Sequence, residues 1–232
     1  MKVFCLVLTT AALASVQGCD VEPCEDDYVF LDDLFGDCVP EQPVTSGEIM
    51  FLEEPPTDAG HMQLQSNEGA QMWAEQQCIE IDEVIYVSIL LLNNDSNLPS
   101  NLVFSSGVAT TQNNWAGNLP AATKYSSHFI HADKIGNQNQ EFVFSASFDC
   151  EIQGIVYRNR PQHLELCETD GIFGNQNTTY SECASSRQHE LDGEKNNMTI
   201  SEDKKTFSAS MVVAGNMDNV RVITSCCCEL EI

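Results

Sequence analysis

Two stretches place chemically capable side chains close together. The first is HFIHAD, residues 128–133, where His128, His131 and Asp133 are of types that could ligate a metal. The second is CEDDYVFLDDLFGDC, residues 24–38, with Asp26, Asp27, Asp32, Asp33 and Asp37 among bulky apolar side chains and no base. Adjacent carboxylates of this kind suit Ca²⁺, a hard cation that accepts variable numbers of oxygen ligands. They lack the DxDxDG spacing of an EF-hand loop, so weak, diffuse Ca²⁺ binding is the reading, against an ordinary solvated acidic face. LNNDSN, residues 92–97, offers further oxygens in one turn. In HFIHAD the two histidines stand three apart. In a strand that spacing sends them to opposite faces, so packing is favoured over a shared metal.

Catalytic motifs do not emerge. The chain has no GxSxG elbow, no GxxxxGK[ST] loop and no GxGxxG run. A carboxylate pair means little among 35 acids. The reading is not an enzyme, with no cofactor beyond weakly held Ca²⁺.

Charge narrows the partners. Formal net charge is −25, and residues 19–123 carry 19 acids and no Lys or Arg. A phosphate backbone demands Lys and Arg, so nucleic acid is excluded, and an anionic membrane surface is disfavoured. Cations, a mineral surface, and extracellular matrix proteins or glycans remain. Such self-repulsion must be offset by bound cation, salt or disulfides.

The elements that position these groups begin with a leader. MKVFCLVLTTAALASVQG has a charged start, an apolar run too short to span a bilayer, and small residues before a cut after Gly18. Residues 1–18 are expected to be a cleaved signal peptide, with acylation of Cys19 as the lesser alternative. Secretion to the extracellular space follows. Ten cysteines then remain: Cys19, Cys24, Cys38, Cys78, Cys150, Cys167, Cys183, Cys226, Cys227 and Cys228. An even set in a secreted chain reads as disulfides, with connectivity open. Asn94, Asn177 and Asn197 head N-x-S/T sequons in polar, turn-like sequence, candidates for glycans.

Residues 19–60 read as an acidic, Cys-containing N-terminal segment. A short helix or turn is expected around Tyr28–Phe35, and EEPPTD (53–58) is read as a linker or rigid turn. Residues 61–232 read as β. CIEIDEVIYVSILLL (78–92) looks like one long buried strand. YSSHFIHA, EFVFSASF, IQGIVY, KTFSASMVV and NVRVITS are further strands bounded by turn residues. The fold class is all-β, a disulfide-stapled β-sandwich or jelly-roll-like domain with an acidic N-terminal extension.

Residues 115–224 run through WAGNLPAATKYSSHFIHADKIG, EFVFSASFDCEIQGIVY, GIFGNQNTTY and MTISEDKKTFSASMVVAGNMDNVRVIT. They resemble a group of secreted all-β domains of uncharacterised function in bacterial surface and exported proteins. The resemblance implies a sandwich and no particular activity. Cys150, Cys167, Cys183 and the CCC run are not part of that pattern. The overall profile is similar to the acidic organic matrix proteins of coral skeletons and mollusc shells. That similarity implies a matrix component binding Ca²⁺ or carbonate mineral. The competing class is a lectin-like or adhesive module, in which Trp73 or Trp115 could stack on a sugar.

Overall fold

The computed structural model describes residues 42–60, 62–90, 102–105, 117–136, 138–157, 165–180, 197–213 and 217–226. Within them the chain runs β1 (Val44–Gly47), β2 (Ile49–Leu52), β3 (Asp58–Ala59), β4 (Ala70–Ala74), β5 (Ile79–Glu80), β6 (Ile85–Val87), β7 (Ile89–Leu90) and β8 (Leu102–Ser105). It continues through β9 (Gly117–Leu119), β10 (Lys124–Ala132), β11 (Gln140–Ser147) and β12 (Ile152–Val156) to two helical turns, α1 (Glu165–Glu168) and α2 (Asp170–Phe173). The last four strands are β13 (Thr179–Tyr180), β14 (Asn197–Ile200), β15 (Thr206–Val213) and β16 (Asp218–Ser225). The protein is all-β in class, as its strand-forming sequence requires.

Two sheets carry the architecture. One has five strands in the order β1-β11-β15-β14-β8, all antiparallel. The other is seven-stranded. Six run β2-β4-β10-β16-β12-β7, with β5 also pairing β10 and β2 running parallel to β4. Alternation decides which side chains meet. In β11 and β15, Phe142, Phe144, Ala146, Phe207, Ala209 and Met211 point inward, while Ser145, Ser208 and Ser210 alternate with them on the outer side. They pack against Met72, Ile130, Ile155, Val220 and Val222 of the larger sheet, forming one continuous core. This is a β-sandwich.

The larger sheet is covered a second time. Eight of the nine residues of β10 and seven of the eight of β16 are buried, so no solvent face exists along either strand. Trp73, Tyr125, Phe129, Val156 and Ile223 form a second core on the far face with Ala59, Val87, Leu119, Leu166 and Phe173. Those partners come from α1, α2, β3, β6 and β9. The architecture is therefore a sandwich with an additional cap. Full burial of side chains such as Trp73 and Phe129 is worth about 1.5–3 kcal/mol each.

Two segments differ from their sequence reading. The described part of the 78–92 run, residues 78–90, does not form one strand: β5 pairs β10, β6 pairs β9 and β7 pairs β12. The exposed Asp82, Glu83 and Val84 interrupt the run, and Ser88 is a buried hydroxyl that accepts the Tyr157 N–H at 3.2 Å. An apolar run shows burial but not which neighbour it is buried against. Residues 44–52 belong to the sandwich, β1 pairing β11 and β2 pairing β4, while β3 pairs β13 in the cap. EEPPTD is the rigid turn rather than the linker, held where Thr178 Oγ1 donates to the Pro56 carbonyl at 2.6 Å. The sandwich thus begins before residue 61.

Candidate functional site

The densest polar chemistry among the described residues is a buried arginine under the cap. In β16, Val220 and Val222 point into the sandwich, so Arg221 must point to the opposite face, where it is fully buried. Register places it beside Phe129 of β10, which in turn pairs Trp73 of β4. The guanidinium carbon lies 5.1 Å from the Phe129 ring centre and 5.8 Å from that of Tyr180. The rings pack among themselves, Trp73–Phe129 at 5.0 Å and Phe129–Tyr180 at 5.2 Å. These contacts match a flat, weakly hydrated cation to aromatic faces.

All five guanidinium protons are bonded. Nε donates to Glu75 Oε2 at 2.6 Å and Nη2 to Glu75 Oε1 at 2.8 Å, a bidentate pair. Nη2 also reaches Asp170 Oδ1 at 2.9 Å. Nη1 donates to the Leu166 carbonyl at 3.1 Å and to Thr169 Oγ1. Glu75 is filled too, accepting from Tyr180 OH at 2.5 Å and from Ser127 Oγ at 3.0 Å. The Asn175 N–H donates back to the Tyr180 oxygen at 2.9 Å.

Two pKa displacements follow. Burial works against the charge on Arg221, but the ion pair and hydrogen bonds with Glu75, then Asp170 and Tyr180, outweigh it and raise its pKa. Burial pushes the Tyr180 phenol well above its ordinary value, and the negative charge of Glu75, which its proton bonds, pushes it further. Arg221, Glu75 and Tyr180 form a cationic guanidinium, an anionic carboxylate and a neutral phenol, locked together.

A buried ion pair stabilises only when its remaining valences are met. Here they are, so the cluster is a clamp. Glu75 follows β4, Arg221 lies in β16, Thr169 and Asp170 span the α1–α2 junction, and Tyr180 ends β13. One guanidinium joins the sheet to its cap. Ser127 shares its proton between Glu75 and the Phe173 carbonyl, at 3.0 and 3.1 Å.

The residues singled out from sequence fall as follows. His128 stacks on Phe148, ring centres 5.0 Å apart, on the sandwich side. His131 meets Asn219 Oδ1 through Nδ1 at 2.8 Å on the cap side. The two faces are opposite, as strand spacing requires. Asp133 is buried and accepts the Met62 N–H at 2.6 Å and Gln65 Nε2 at 3.3 Å, fastening the 62–67 loop. No group of three or more His, Cys, Asp or Glu could hold a metal among the described residues. Asp26, Asp27, Asp32, Asp33 and Asp37 lie outside them, as do LNNDSN, Asn94 and Trp115. Trp73 is wholly buried and offers no face to a sugar. Asn177 is exposed in a turn, and Asn197 opens β14.

Cys78 and Cys226 are bridged, and Cys150 and Cys167 are each disulfide-bonded. Cys19, Cys24, Cys38, Cys183, Cys227 and Cys228 are outside the described residues.

Sequence reasoning missed Glu75, Thr169, Asp170 and Tyr180. One signal was present: an arginine in the middle of the apolar strand VRVIT must find a partner. The segments SHFIHAD, GIFGNQNTTY and NVRVIT contribute Phe129, Tyr180 and Arg221 to the clamp. No family model matches the chain, and no curated protein or solved structure compared with it matches either.

Proposed function

We propose that the protein is a secreted, acidic extracellular matrix component that holds Ca²⁺ or a carbonate mineral surface through many loosely arranged carboxylates. One observation carries the reading, the acid surplus left on the outside of the folded domain. Glu53, Glu54, Asp58, Glu68, Glu80, Asp82 and Glu83 are all exposed. The one described arginine is buried and neutralised internally, and the remaining described bases are Lys124, Lys134, Lys204 and Lys205. The carboxylates are spread over separate loops and strand ends, which suits weak, multiple binding. The disulfides are consistent with an oxidising compartment.

The test compares thermal stability in millimolar Ca²⁺ with Na⁺ at equal ionic strength. A ligand bound only by the folded state stabilises it by mass action, so Ca²⁺ should raise Tm beyond the Na⁺ control. Replacing Asp26, Asp27, Asp32, Asp33 and Asp37 by Asn should remove part of that gain and reduce adsorption to calcium carbonate. Equal Tm in the two salts would leave the acids as solubilising charge only.

A further inference from the structure

The turn between α2 and β13 presents a modification site whose geometry separates it from the second described sequon. Asn177 heads Asn177-Thr178-Thr179. Asn177 is exposed to solvent. The backbone beneath it is held from several sides. The Asn177 N–H donates to Asn175 Oδ1 at 2.9 Å and the Thr178 N–H to the Asn175 carbonyl at 3.1 Å. Thr178 Oγ1 is tied to Pro56, and the Thr179 N–H donates to the Thr57 carbonyl at 2.9 Å. The turn is thus pinned through its neighbours while Asn177 itself stays exposed.

Asn197 is placed differently. It opens β14, an interior strand of the five-stranded sheet, in register with Ser210 on one side and Ser105 on the other. Its sequon threonine, Thr199, is likewise flanked by Ser208 and Val103. A transferase must lift the acceptor segment into its own active site. At Asn177 that means opening one turn and the two-residue strand β13. At Asn197 it means withdrawing a strand from between two neighbours.

We propose that Asn177 carries an N-linked glycan and stays competent to receive sugar after the domain has folded, whereas Asn197 can receive one only before β14 pairs. The proposal rests on the secretory reading of residues 1–18. In the transfer, Asn177 Nδ2 attacks the anomeric carbon of a lipid-pyrophosphate-linked oligosaccharide. The new C–N bond forms as the C–O bond to pyrophosphate breaks, the lipid pyrophosphate leaves with the bonding electrons, and Nδ2 gives up one proton. The glycan would stand on the exposed part of the cap turn.

The full chain should be produced in a eukaryotic secretory host with its own leader and, in parallel, with a leader of proven function, and its glycopeptides mapped by mass. Occupied Asn177 in the secreted, disulfide-bonded protein is expected. Asn177→Gln and Thr179→Ala should each remove the mass of one glycan, and Thr179→Ser should keep it. Unmodified Asn177 in folded protein delivered by the proven leader would overturn the proposal. Failure with the native leader alone would count against the secretory reading instead. A second arm treats folded, unglycosylated protein with a soluble N-glucosyltransferase and UDP-glucose. Sugar should reach Asn177 directly and Asn197 only after denaturation and reduction. Equal transfer to Asn197 on the folded protein would refute the distinction.

Discussion

Arg221 shows how a single residue type forces a local solution. A guanidinium in a strand buried on both faces must find acceptors for five protons, and Glu75, Asp170, Thr169 and the Leu166 carbonyl supply them. Removing one partner leaves an uncompensated buried charge, so Glu75→Gln should cost about 3–5 kcal/mol in urea unfolding. Asp170 is partly solvated, its side chain 20% exposed, and Asp170→Asn should cost only about 1 kcal/mol. Equal losses would contradict the clamp as described. Tyr180 adds a pH dependence. Its pKa is raised in the folded state, first by burial and then by Glu75. The stabilisation it contributes is therefore fully present below the ordinary phenol pKa of about 10 and is lost as pH rises through the folded value. Tm should fall more steeply above pH ~10 in the wild type than in Tyr180→Phe. Part of the alkaline limb should survive in the variant, because burial also raises the pKa of Tyr125.

Among the elements, the β1–β2 corner closes the sandwich. The chain leaves the five-stranded sheet at Gly47 and joins the seven-stranded sheet at Ile49. Gly47 has φ +84°, and a Cβ there would lie 2.4 Å from the Val143 carbonyl oxygen, within a backbone pairing that cannot yield. Gly136 has a similar φ of +91° but open space around it. Gly136→Ala should cost about 1 kcal/mol, from backbone strain alone. Gly47→Ala should cost visibly more, since the clash adds to the strain; similar Tm losses in the two variants would show that the corner relaxes. The same elements show how far periodicity reads. The alternation of KTFSASMVV makes β15 legible as a strand, because one side packs and the other meets water. The apolar run that opens at residue 78 was legible as strand but not as three strands, because its described pieces bond to three different partners.

For the whole molecule, long-range links dominate. The Cys78–Cys226 bridge spans 148 residues, tying the end of β4 and the start of β5 to the chain just beyond β16. A link of that span restricts the unfolded chain strongly, so replacing both cysteines by serine should lower unfolding free energy by about 2–5 kcal/mol. An unchanged urea midpoint would contradict a restraint of that size on the unfolded chain. The sequence by itself determined the all-β class, the positions of β10, β11, β12, β15 and β16, the opposite facing of His128 and His131, and the pairing chemistry of several cysteines. Each is a local property, set by alternation, β propensity or composition. Only the tertiary structure decided that the larger sheet is covered twice, that residues 44–52 complete the sandwich, and that Arg221 meets Glu75 from 146 positions away. Alternation specifies which face a side chain takes, but not what the rest of the chain brings to that face.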